Sequence, residues 1–248
     1  MFMAEKELTY IWNGFHYDKV QFEDHDALIV YPKQANGWLA LKTEYWNAFP
    51  EAMEIPLLEQ GFHLCFIKND TRWGMDPDLD RQARFVRFVQ QKLGLKEKCV
   101  PVGMSCGGLI AIKLAAEYPE LIQCLYLDAP LLNYFSYPCG YGVVSPGPRD
   151  LLEMLNALGL RKISELLCYR EMPMHRLDAL VASRIPAVMV VGDSDSVVPY
   201  CENGTLLEQA YKAAGIDLEV YTKIGGDHHP HGLEDPTPAL QFILKYCQ

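Results

Sequence analysis

Cys99-Val100-Pro101-Val102-Gly103-Met104-Ser105-Cys106-Gly107-Gly108-Leu109 is the stretch on which the fold turns. The apolar run 99–102 predicts a strand, and 109–118 predicts a helix closed by Pro119. Between them lies Gly-x-Ser-x-Gly. A serine hydroxyl is a weak nucleophile until a base removes its proton, so a catalytic serine must be exposed, sharply presented and close to an imidazole. Gly103 and Gly107, with Gly108 behind, allow a strained turn in which strand and helix approach without side-chain clash. Ser105 then stands at the apex as the candidate nucleophile, and Cys106 beside it points away from that role.

Outward from this turn, strand-like and helix-like segments alternate. Upstream, 8–12 and 15–22 flank Asn13-Gly14 and predict an antiparallel hairpin. The unbroken apolar run Ala27-Leu28-Ile29-Val30-Tyr31 reads as a central strand covered on both faces. Residues near 42–60 look helical, interrupted by Pro50 and Pro56, and Gly61 ends them before a strand at 62–67. Residues 77–93 form the clearest amphipathic helix, with Leu79, Ala83, Val86, Val89 and Leu93 on one face, Pro77 in the first turn and Gly94 beyond the end. Downstream come strands at 124–127, 187–191 and 218–223 and helices near 201–214 and 236–247.

Such repeats call for one doubly wound α/β domain over residues 1–248, with a mostly parallel sheet, helices on both faces and an antiparallel N-terminal hairpin. Residues 133–184 break the rhythm with Tyr134, Phe135, Tyr137, Tyr141, Pro146 and Pro148, followed by short helical patterns at 149–158 and 163–169. That is long for a connection, so a short lid insertion over the sheet edge is expected there.

Charge narrows the partners. A formal net charge of −10, from 32 acidic and 22 basic residues without a basic run, would repel a phosphate backbone, so no nucleic acid is expected. Met1-Phe2-Met3-Ala4-Glu5-Lys6-Glu7 has neither the basic start nor the apolar run of a signal peptide. No apolar stretch approaches the ~18 residues of a span, so no membrane partner and a cytoplasmic location are expected. Eight cysteines occur singly without a CxxC pair and read as free buried thiols. Composition leaves the oligomeric state open, a homo-oligomer included.

Three motifs together carry a resemblance: Gly103-Met104-Ser105-Cys106-Gly107, the later Gly192-Asp193-Ser194-Asp195-Ser196-Val197-Val198-Pro199, and the late Gly225-Gly226-Asp227-His228. In this order the chain resembles the α/β-hydrolase superfamily, near its small-esterase and prolyl-oligopeptidase-like branches, over nearly its whole length. The resemblance implies that the acid lies three residues past Gly192, at Asp195. Asp193 is a rival, and Asp128 would serve if the acid sits one strand earlier. It implies a histidine before the last helix, where His228-His229-Pro230-His231 offers three choices, His228 fitting best.

One oxyanion donor is expected at the Cys106 N–H. The second is expected in the loop after the strand 27–31, Pro32-Lys33-Gln34-Ala35-Asn36-Gly37-Trp38-Leu39, where Trp38 is the positional choice, with Gly37 and Leu39 adjacent. A metal site in the histidine cluster is not expected, since imidazoles from one loop supply few well-directed ligands and no CxxC or carboxylate set completes them. Asp70-Thr71-Arg72-Trp73-Gly74 lies where it would line a pocket mouth or a solvated loop.

The implied activity is a serine hydrolase cleaving a carboxylic ester of a small soluble substrate by acyl transfer, with no cofactor. A small peptidase or amidase uses the same triad. A noncatalytic ligand-binding protein on the same fold is the third reading.

Overall fold

The computed structural model describes residues 10–248; residues 8 and 9 of the first expected strand lie outside it. Strands β1 (Tyr10–Trp12) and β2 (Phe15–Phe22) form the antiparallel hairpin. Asn13 and Gly14 both take positive φ, 49° and 81°, as a two-residue turn matching strand twist requires. Strand β3 (His25–Tyr31) pairs antiparallel with β2 and with β5 (His63–Ile67). Within the run 27–31, Ala27 and Ile29 feed one core and Val30 the other, while Leu28 and Tyr31 are half-buried, and the run belongs to the antiparallel half of the sheet.

The first parallel strand is β4 (Leu39–Lys42), where the sequence pattern predicts a loop up to 39 and a helix from about 42. It lies between β5 and β6 (Cys99–Met104), parallel to both. Four residues are too few for periodicity to register. The helix expected over 42–60 shrinks to a 3-10 turn at Pro50–Ala52 and α1 (Glu54–Glu59). Tyr45, Asn47 and Phe49 all take positive φ, which a helix cannot accommodate.

Helix α2 (Asp76–Leu93) carries Pro77 in its first turn and stops at Gly94 with φ 65°. Helix α3 (Cys106–Glu117) begins directly after Ser105, and β7 (Leu125–Asp128) follows. The excursion before β8 (Ala187–Gly192) contains α4 (Pro148–Ala157), two 3-10 turns and α5 (Leu177–Ser183). Helix α6 (Gly204–Ala214), β9 (Leu218–Lys223) and α7 (Thr237–Tyr246) complete the chain.

The described strands form one nine-stranded sheet in the order β1-β2-β3-β5-β4-β6-β7-β8-β9, parallel from β5 to β9. Alternate residues of each central strand feed two cores. Leu41, Cys65 and Leu127 pack with α2, α3 and α6 on one face, while Ala40, Leu64, Val102 and Val190 pack with α1 and α7 on the other. Each fully buried leucine contributes roughly 1.5–3 kcal/mol. All eight cysteines are free, with Cys168 and Cys201 exposed. No helix among the described residues is long and apolar enough to cross a membrane. The parallel strands end together at Lys42, Ile67, Met104, Asp128, Gly192 and Lys223, which gathers the loops after them at one edge.

Candidate active site

Ser105 links β6 to α3 with φ 52° and ψ −118°. A non-glycine residue there costs about 1–3 kcal/mol, which the surrounding bonds offset. Its N–H donates to the Asp128 carbonyl at 2.9 Å, and its carbonyl accepts from the N–H groups of Gly108 and Leu131 at 3.0 and 3.2 Å. The glycines serve close approach: a Cβ on Gly103 would lie 2.5 Å from the Gly107 carbonyl oxygen, and one on Gly108 would lie 2.6 Å from Pro130 Cβ. Burial pushes the Cys106 thiol up to about 11, so it stays protonated at neutral pH.

The loop after β8 brings Asp195 to this apex, and the loop after β9 brings His228. His228 Nε2 is 3.1 Å from Ser105 Oγ, and Nδ1 is 2.8 Å from Asp195 Oδ2, with both partners buried. An ionised carboxylate only accepts, so Nδ1 carries the proton and Nε2 is free to accept from the serine. The other Asp195 oxygen accepts the N–H groups of Val197 and Val198 at 2.8 and 2.7 Å. Asp193 does not reach a histidine: it accepts from the Gly225 N–H at 2.7 Å and holds its own turn.

Asp128, the other rival, makes a second carboxylate–imidazole pair. Its Oδ1 is 2.6 Å from His231 Nδ1, while Oδ2 accepts the Gly232 N–H at 2.6 Å and the Tyr126 hydroxyl at 3.3 Å. His229 is exposed, and its ring lies edge-on to His228 with centroids 4.8 Å apart. Partial burial, then the neighbouring His228 and His231, hold its pKa below the usual histidine value.

Sequence reasoning missed Asp227. One carboxylate oxygen accepts the Ser196 N–H, the Ser196 hydroxyl and the His228 N–H at 2.8, 2.8 and 2.7 Å. Those bonds lower its pKa to about 2. Asp227 thus clasps the loop carrying Asp195 to the loop carrying His228. Its signal was present in Gly225-Gly226-Asp227-His228, but nothing in the sequence tells which partner a turn aspartate takes.

The expected second oxyanion donor requires correction. Trp38 precedes β4 and so lies at the opposite end of that strand from Ser105, which follows β6. Its N–H donates to Asn36 Oδ1 at 2.9 Å, and Gly37 and Leu39 share its end of the strand. The turn that does reach the site is Thr43-Glu44-Tyr45, after β4. Thr43 Oγ1 donates to the Gly107 carbonyl at 2.7 Å, which fixes this turn against α3, and Tyr45 lines the pocket. The Cys106 N–H opens α3 and has no place in its ladder, as for the first residues of any helix.

Above Ser105 lies a cavity of about 320 Å³, lined besides the histidines by Tyr45, Phe49, Arg72, Tyr137 and Asp150, with the Phe49 ring packed on His229 and His231. Arg72 donates to both oxygens of Glu153 at 2.9 Å and contacts Asp150 at 2.8 Å. Tyr137 and Asp150 come from the excursion between β7 and β8. Tyr134 is buried in the core, and Tyr141 is exposed.

Residues 68–144 match a family model described as alpha/beta hydrolase fold. Curated proteins give no match. Solved structures do: TT1662 from Thermus thermophilus superposes with a TM-score of 0.66 at 17% identity, covering 94% of this chain and 98% of that one. This is an α/β-hydrolase fold. A puromycin hydrolase superposes on the hydrolase fold with a TM-score of 0.69 at 14% identity, and Pyrococcus horikoshii acylaminoacyl peptidase with 0.67 at 13%. These alignments cover 94% and 87% of this chain but only 38% of each of those longer proteins.

On this α/β-hydrolase scaffold, the edge above β6 brings together a hydroxyl, an imidazole correctly polarised to accept its proton, and a helix N-terminus facing the same space. That arrangement can generate a nucleophile and stabilise developing negative charge without any further group.

Proposed function

We propose that the protein is a serine hydrolase cleaving carboxylic esters of small substrates by acyl transfer. The observation that carries the reading is His228, whose two ring nitrogens bridge Ser105 and the buried Asp195. Ser105 Oγ attacks the carbonyl carbon as its proton passes to His228 Nε2. Asp195 orients the ring and stabilises its cation. The Cys106 N–H and a donor from the turn 43–45 hold the oxyanion, each worth about 10²–10³ in rate. His228 returns the proton to the leaving alcohol, and water repeats the cycle on the acyl-enzyme. Residues 133–184 form the lid of this single domain, setting substrate length through Tyr137 and Asp150.

A fluorophosphonate probe tests the nucleophile. The folded protein is labelled at Ser105, and Ser105→Ala is not labelled and loses at least about a thousandfold of its p-nitrophenyl acetate turnover. A folded protein whose Ser105 resists the probe defeats the proposal. The puromycin hydrolase and acylaminoacyl peptidase neighbours support a second reading, amide cleavage at the same site. Matched p-nitrophenyl esters and aminoacyl p-nitroanilides separate the two, with esters turned over faster under the first.

A further inference from the structure

The histidine cluster does more than supply a base. His228, His229 and His231 each offer a ring nitrogen, and these atoms all lie within 4.8 Å of one another. The ring centroids are 4.8, 4.9 and 5.0 Å apart, with interplanar angles of 72° to 87°. Zinc–imidazole bonds of about 2.0–2.1 Å place tetrahedral nitrogens roughly 3.3 Å apart, so even the widest separation has to close by only about 1.5 Å.

We propose that these three histidines form a site for one divalent transition-metal ion, zinc by its chemistry, whose binding occupies the His228 nitrogen that faces Ser105.

Two features absent from the sequence view argue for it. Imidazole ligands of metals characteristically give their other nitrogen to a carboxylate, which fixes the ring and raises its basicity. Here Asp195 holds Nδ1 of His228 and Asp128 holds Nδ1 of His231, each carboxylate buried, which leaves Nε2 of both rings as the free ligand. Those two buried carboxylates also complement a dication. His229 is exposed and all three rings line the cavity, so an ion can enter. Ser105 Oγ, 3.1 Å from His228 Nε2, or a water supplies the fourth position. Three imidazoles suit zinc, copper or nickel and not magnesium or calcium, which take oxygen ligands.

The metal occupies the lone pair of His228 Nε2 that accepts the serine proton, so the ion is an inhibitor. That consequence rests on the hydrolase reading; binding itself does not.

Calorimetric titration of the EDTA-treated, dialysed full chain with zinc chloride tests the site. One ion binds per chain, magnesium chloride gives no heat, and His229→Ala weakens zinc at least about tenfold. His231→Asn, checked for folding by circular dichroism, does the same. Zinc that binds His229→Ala and His231→Asn as tightly as the parent, or no zinc binding at all, overturns the proposal. Fluorophosphonate labelling of Ser105 slows in zinc and recovers with EDTA; labelling indifferent to bound zinc overturns the inhibition. Zinc binding lost in His229→Ala, in a protein whose Ser105 never reacts, removes the hydrolase reading and upholds the metal site.

Discussion

Two carboxylate–imidazole pairs stand side by side at one sheet edge, Asp195 with His228 and Asp128 with His231, their rings 4.9 Å apart. Their chemistry is alike: a buried carboxylate, an Nδ1 contact below 3 Å, and backbone N–H groups satisfying the remaining oxygen valence. Their surroundings differ. Asp195 sits in a loop stiffened by its own amides, and its histidine reaches Ser105 Oγ. Asp128 is the last residue of β7, and its bonds tie that strand to the chain just beyond His228. A carboxylate–histidine pair is therefore not a catalytic device by itself. What separates the two is the third group, so loss of the first should stop chemistry and loss of the second should loosen the fold.

Asp195→Asn gives the largest effect. Turnover of a p-nitrophenyl ester falls at least about a hundredfold, because the amide no longer stabilises the imidazolium or fixes its tautomer, while the urea midpoint moves little. Asp128→Asn behaves in the opposite way. An amide has one carbonyl oxygen for the contacts now shared by His231, Gly232 and Tyr126, so stability drops by about 2–3 kcal/mol while turnover stays within about tenfold. If Asp128→Asn stops turnover at unchanged stability, and Asp195→Asn does not, the two pairs have exchanged roles.

Asp227→Ala sharpens the comparison from outside both pairs. It removes the clasp between the loops carrying Asp195 and His228, a connection with no counterpart in the Asp128 pair. The expected result is about a tenfold loss in kcat with KM little changed, since the base is misplaced and the cavity is not. Asp227→Asn keeps one acceptor oxygen and should recover part of that loss. A KM effect equal to the kcat effect would make Asp227 a pocket residue instead.

The alternation of strands and helices was legible in the chain because long apolar runs and well-capped helices such as α2 announce themselves. So was the turn at Ser105, where three glycines have no other local use. The polarity of β3 was not legible: a run buried on both faces reads alike in parallel and antiparallel settings, and only its pairing with β2 and β5 decides. Without the four residues of β4, the turn expected to reach the site falls one connection early, at 32–39 rather than at 43–45. The histidine cluster shows the other limit. Three imidazoles in four residues are visible in sequence, but which carboxylate each one takes depends on Asp128 and Asp195, 103 and 33 positions away.

Acid gives the smallest effect and separates the clasp from the pairs. Asp227 has a folded pKa of about 2, set by three donors to one oxygen, against the usual aspartate value of 3.8. Because the folded value is depressed, its contribution to stability is fully present above about pH 4. It is lost as pH falls through about 2, where the folded carboxylate finally takes its proton. The group is exposed, so solvent screening keeps the contribution small. The unfolding midpoint of the parent should therefore exceed that of Asp227→Asn by a constant amount above pH 4, and the two should converge between pH 4 and 2. A difference that persists unchanged to pH 2 would mean that the clasp works through shape rather than charge, and the loops of Asp195 and His228 would then be joined by packing alone.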